Sequence, residues 1–210
     1  MRKLIATGAI AIAGFASIAP GTASADHHPN PDQTLADILL ADSSRDHPDG
    51  FDRSSWDYDI VTQAVLLFPD LVEAASNPDA ELTVFLPNDR AFRELVEDLT
   101  GERIRSEADV FAAVASLGTD TVKNVLLYHI VPVGISIRDA RQSDGAILDT
   151  LLEGSTIEVD VSGRRLKNVT LIDADTDDHD PRVVQGNVGG AALNGYAHGI
   201  DRVLRPIDLP

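Results

Sequence analysis

Apolar residues along this chain recur first at helical spacing and then at strand spacing. In "DIVTQAVLLFPDLVEAA", from Asp59, the residues Ile60, Ala64, Leu67 and Leu71 share one helical face, and Pro69 must bend or break that helix. "NDRAFRELVEDLTG" predicts a helix opening near Asn88, with Phe92, Leu95, Val96 and Leu99 on its apolar stripe and Gly101 at its end. "SEADVFAAVASLG" predicts another, capped by Ser106 with Asp109 three residues on. A short helix follows Thr34 as N-cap in "TLADILLAD", and "TDTVKNVLLYHIV" predicts a helix from Thr119 that feeds into Ile130–Val131.

Among these helices "LTVFLP", Leu82–Pro87, is β-branched and aromatic enough to predict a strand. After Leu148 the period changes to two. "STIEVDV" places Ile157, Val159 and Val161 on one face, and "RLKNVTLIDAD", "PRVVQGNV" and "GYAHGIDRVL" predict three further strands. A helix-rich first half and a strand-rich second half predict one α+β domain, and no internal repeat argues for an array.

The N-terminus changes the picture. Arg2 and Lys3 precede an uncharged, mostly apolar run from Leu4 to Ala19, and "ASA" at Ala23–Ala25 offers small residues for cleavage. The run is short for a bilayer span of about 20 residues. Residues 1–25 are therefore read as a secretory signal, 26–32 as a polar, flexible lead, 33–207 as the folded domain and 208–210 as a tail. Of 17 basic residues, 15 remain after cleavage against 34 acidic ones, a net charge of −19. Such a surface repels nucleic acid and anionic lipid, and no second long apolar run predicts membrane insertion after processing. The chain has no Cys, which excludes disulfides, thiol nucleophiles and thiolate metal sites.

Three stretches, in order, resemble the fasciclin domain family: "LTVFLPNDRAF" (Leu82–Phe92), "VLLYHIVP" (Val125–Pro132) and "NGYAHGIDRVLRP" (Asn194–Pro206). The resemblance spans about Gln33 to Ile207, and leader and composition suit a bacterial single-domain member. It implies a small β-sandwich or wedge packed against several helices. It also implies a secreted or cell-surface, non-enzymatic module that mediates adhesion by binding a surface or matrix protein or polysaccharide. No cofactor is expected. In animal members the Tyr-His segment takes part in integrin adhesion, which carries over to Tyr128 and His129 alone.

Read on their own chemistry, Asn194-Gly195 suits a tight turn tolerant of positive φ. Gly199 beside His198 predicts a close backbone approach or a bulge. A half-buried His198 can donate one ring N–H to a backbone carbonyl and so brace the terminal strand, which also carries Asp201. A catalytic His198 would need a partner, and no Gly-x-Ser-x-Gly elbow, His-Glu-x-x-His helix or phosphate loop is present. A hydrolase would require carboxylates, or a His-Asp pair, that meet only in three dimensions.

An alternative function is extracellular metal or small-ligand binding. "DADTDDHD", Asp173–Asp180, alternates carboxylates at Asp173, Asp175 and Asp177, as hard-cation loops do, although it is not an EF-hand. Cleavage after Ala25 would leave Asp26, His27 and His28 as a tetragonal nitrogen site for copper(II) or nickel(II). Phe51, Trp56 and Tyr58, in a polar loop, are expected either to pack down or to present flat faces to sugars.

Overall fold

The computed structural model describes residues 32–43, 50–52, 54–163 and 168–207. The expected boundaries at residues 1–31 and 208–210 lie outside them. The elements run α1 (Leu35–Ser43), α2 (Asp59–Leu66), α3 (Pro69–Ser76), β1 (Leu82–Pro87), α4 (Asp89–Thr100), α5 (Glu107–Ala115), α6 (Thr119–Tyr128), β2 (Ile130–Val131), α7 (Ile137–Ala140), β3 (Ala146–Asp149), β4 (Thr156–Ser162), β5 (Asn168–Ile172), β6 (Val183–Ala192) and β7 (Gly195–Ile200).

Local chemistry explains several of the helix ends. The Asn88 side chain accepts a hydrogen bond from the Ala91 N–H at 3.0 Å, and Ser106 does the same for Asp109 at 3.3 Å. Thr34 and Asp37 cap each other reciprocally at the start of α1. Gly101 closes α4 with φ 72°, where only glycine is unstrained. Pro69 breaks the second predicted helix outright, because it opens α3 as the first helical residue. The break resets the helical phase: Ile60, Ala64 and Leu71 are buried, but Leu67 is 51% exposed.

The strands form two sheets, one ordered β2-β1-β7-β6 and the other β3-β4-β5. In the larger, β7 lies parallel to β1, with Leu82 opposite Gly195 and Pro87 opposite Ile200, while β6 and β2 run antiparallel to their neighbours. A bulge interrupts β6 between Val184 and Gly189. Thr170 bridges Arg182, and the Leu171 N–H donates to Pro181 O at 2.8 Å, joining the sheets along one side into a wedge. Ile157, Val159 and Val161 of β4 are all buried, and they meet Phe85, Tyr128, Ile200 and Leu204 between the sheets. On the other face of the larger sheet, Val84, Leu86 and Ala197 pack against α1–α6. The fold is α+β, with β7 covered on both faces.

Candidate functional site

The signature side chains lie inside the wedge. Tyr128 is fully buried at the end of α6, and its hydroxyl donates to Thr156 O at 2.8 Å. Burial, with the Asp173 charge nearby, pushes that phenol up to about 12. His129 is the next residue. Its Nδ1–H donates to Val125 O at 2.7 Å, leaving Nε2 to accept from the Leu204 N–H at 2.9 Å. Those two bonds require the neutral ring, and burial lowers its pKa to about 4.

His198 projects from β7, and its Nε2–H donates to Ile135 O at 2.7 Å. The Thr83 hydroxyl, from the adjacent strand, donates to Val133 O and accepts from the Ile135 N–H. The two side chains therefore pin the segment after β2 to the larger sheet. Tyr196 stacks on His198 with ring centroids 6.4 Å apart.

Asn194, in the two-residue turn between β6 and β7, accepts from the Leu35 N–H and donates to Ala75 O and Asn77 O, all at 2.9 Å. One amide thus ties α1, α3 and the sheet together. Gly195 opens β7 at φ 145° against Leu82, where a Cβ would overlap the Leu82 carbonyl. At Gly199 a Cβ would overlap the Tyr58 hydroxyl. Asp201 accepts from the Arg182 N–H at 2.7 Å. Tyr128, His129, Asn194 and His198 are all at most 6% exposed.

The acidic loop also turns inward. Asp173 accepts from the Arg205 N–H at 2.7 Å and from the Asp175 N–H at 2.9 Å. Buried Asp175 pairs with the Arg205 guanidinium at 3.1 Å, and Asp98 and Asp178 bind the same guanidinium at 2.5 and 3.0 Å. Asp177 stays on the surface. Two of the loop's carboxylates, Asp175 and Asp178, thus act as counter-charges to Arg205, which is 7% exposed. Asp26, His27 and His28 lie outside the described residues.

A second carboxylate cluster escaped the sequence reading. Helices α2, α4 and α5 begin at one place, and each brings an acid in its first turn: Asp59, Asp89 and Glu107. One carboxylate oxygen from each lies within 4.8 Å of the other two, and all three residues are buried. Asp52 and Asp57, in the preceding loop, meet Asp59 within the same distance.

Asp89 is fully buried. Its Oδ1 accepts from the Ile60 N–H at 3.0 Å, whereas its Oδ2 has no hydrogen-bond partner. Glu107 holds Arg93 at 2.6 Å through Oε1, and its Oε2 is likewise unpartnered. Burial, reinforced by neighbouring carboxylates, pushes Asp89 up to about 9; burial against the pull of Arg93 leaves Glu107 at about 7. The carboxylates do converge as a hydrolase would need, but at 4%, 0% and 2% exposure they give a substrate no access. The signal was present as three first-turn acids, each of which reads locally as a complement to its own helix dipole.

Of the loop aromatics, Tyr58 is fully buried and Phe51 packs on Phe111 with centroids 5.6 Å apart. Trp56 stays 58% exposed, with the Arg90 guanidinium 5.6 Å from its ring centre.

An α+β wedge whose last strand lies inside the larger sheet, with its signature histidines turned inward, defines the class. Residues 59–206 match the fasciclin domain model, and the chain belongs to that family. A solved FAS1 domain pair from the insect cell adhesion molecule Fasciclin I is similar, with a TM-score of 0.57 and 16% identity. The match covers 84% of this chain and 51% of that one, so this chain spans about half that structure's length. No curated protein matches the chain.

Proposed function

We propose that this protein is a secreted, non-enzymatic binding module that mediates adhesion or protein interaction at a cell surface or in an extracellular matrix. The observation that carries the reading is family membership across residues 59–206. A fold shared with part of an insect cell adhesion molecule supports it. The secretory part rests on the leader-like pattern of residues 1–25.

Because the family's signature side chains are used up inside the domain, contact falls to the outer surface. There the exposed indole of Trp56 offers a flat face of the kind that stacks on sugar rings. Leu40, Leu66 and Leu67, around the ends of α1 and α2, are exposed as well, at 42%, 43% and 51%. Isolated exposed leucines are ordinary, but a group of them marks a surface able to exclude water on docking.

Beads coated with the full chain should attach to cells or to immobilised surface polysaccharides, and beads coated with the heat-unfolded chain should not. Trp56→Ala separates the chemistries, since loss of attachment to polysaccharide alone identifies a sugar partner. Equal attachment by folded and unfolded protein would remove the adhesion reading.

A further inference from the structure

We propose that Asp59, Asp89 and Glu107, with Asp52 and Asp57 beside them, form a site for one calcium-sized divalent cation that ties together the starts of α2, α4 and α5. This goes beyond the adhesion reading and does not depend on it.

Three independent features of the cluster point to an ion. The first is spacing. A calcium ion holds its oxygens at about 2.4 Å, so two ligands on opposite sides of it lie about 4.8 Å apart and all others lie closer. The oxygens of Asp59, Asp89 and Glu107 are all within 4.8 Å of one another, as are those of Asp52, Asp57 and Asp59. Asp59 belongs to both sets and links them.

The second feature is the unmet hydrogen bonding. Asp89 Oδ2 and Glu107 Oε2 are buried acceptors with no donor, in residues 0% and 2% exposed. A buried acceptor left without a donor costs about 1–3 kcal/mol, more when charged. Three N–H groups at the starts of α2 and α4 are already engaged. The Asp89 N–H donates to Asp57 O at 3.0 Å, the Arg90 N–H to Ser55 O at 3.0 Å, and the Ile60 N–H already binds Asp89 Oδ1.

The third is charge. Five carboxylates gather here in two overlapping sets of three, and Arg93 is bound to Glu107 and, through a short hydrogen bond, to Ser55. Each of the three helix N-termini contributes roughly half a positive charge. A divalent ion would bring the sign of charge that gathered carboxylates attract. Hard carboxylate oxygens favour calcium or magnesium over softer metals. Of the two, magnesium surrenders its water reluctantly, and a buried set of ligands favours calcium.

The test uses the full chain, stripped of metal with a chelator, and reads two signals. Trp56 is the only tryptophan, and it sits between Asp52 and Asp57 in sequence, so its fluorescence reports on this loop. Calcium should change that fluorescence saturably, with one ion per chain by equilibrium dialysis. It should raise the melting temperature by about 5–10 °C at a hundredfold excess over Kd. Magnesium should do so more weakly.

Asp59→Asn and Glu107→Gln should each weaken calcium by at least about tenfold, because affinity follows the number of charged ligands. Circular dichroism of both variants checks that they fold. Asp177→Asn, in the other acidic segment, should leave the response intact. The proposal fails if fluorescence and melting are unmoved up to about 10 mM calcium, beyond the weakest extracellular calcium sites. It fails equally if folded Asp59→Asn responds as the parent does, or if Asp177→Asn abolishes the response.

Discussion

Arg205 and Asp89 stand at the centres of two buried polar clusters made from the same kinds of side chain, and the two differ in how charge is matched. Around Arg205, the carboxylates of Asp98, Asp175 and Asp178 reach a guanidinium, while Asp173 holds the backbone N–H of the same residue. Nearby Arg202 adds longer contacts to Glu94, Asp98 and Asp178. One Arg205 N–H and one Asp175 oxygen remain unpartnered, a donor and an acceptor in balance. Burial works against the charge of both groups, but hydrogen bonds outweigh it: those from Asp98 and Asp175 raise the Arg205 pKa, and those from Arg205 and Asp177 lower that of Asp175. Around Asp89 the carboxylates repel, and burial drives protons onto them. A buried acid therefore says little about stability until its partner is known.

The sharpest break of this comparison is Arg205→Met. It leaves Asp175 buried beside an apolar chain, and urea denaturation should show a loss of about 3–5 kcal/mol. Next in size is acid. His129 holds the Leu204 N–H, immediately before Arg205, and needs a neutral ring to do so. Its folded pKa of about 4 lies below the unfolded value of about 6.5. Between these values the unfolded chain takes up a proton that the folded chain refuses, so stability falls as pH drops from about 6.5 to about 4. The loss should approach 3 kcal/mol. His129→Gln should be less stable at neutral pH and should lose correspondingly less between pH 7 and pH 4; an unchanged pH slope would refute this account.

One substitution made at both centres should then give opposite signs. In calcium-free buffer at pH 7.5, Asp175→Asn weakens the bond to Arg205 and should destabilise by about 1–3 kcal/mol. Asp89→Asn keeps the acceptor for the Ile60 N–H and replaces a frustrated oxygen with a donor, and should stabilise by about 1 kcal/mol or more. Two losses of equal size would erase the distinction between the clusters. The smallest effect concerns the start of α4. Asn88→Ala removes the N-cap and should cost about 1 kcal/mol by thermal or urea melting, leaving the Arg205 cluster unaffected.

What could be read from the sequence was whatever local chemistry decides. Asn88, Ser106 and Thr34 cap helices because a short side chain meets an N–H two or three residues on, and β4 shows its buried face through the alternation of Ile157, Val159 and Val161. Leu67 misled because a helical phase was carried past Pro69, where a new helix starts with its own phase. The short elements β3 and α7 carry too few residues for a period to register. The site was less legible than the fold. Asp59, Asp89 and Glu107 meet only because three helices start at one place. The dense run from Asp173, conspicuous in one dimension, turns Asp175 and Asp178 onto Arg205 in three. His129 and His198 were readable as histidines of interest, but their acceptors on Val125 and Ile135 are backbone atoms that no side-chain pattern announces.

The position of β7 also bears on when this domain can fold. The last of the seven strands among the described residues is an inner strand of the larger sheet, and β1 waits for it across more than half the chain. Until residues 195–200 have left the ribosome, β1 has only the two-residue β2 beside it, and Val84, Leu86 and their helices lack the surface that β7 completes. Pairings so distant in sequence form slowly, because the intervening loop must close before any contact rewards it. A chain built this way cannot complete its larger sheet until that late strand has been made.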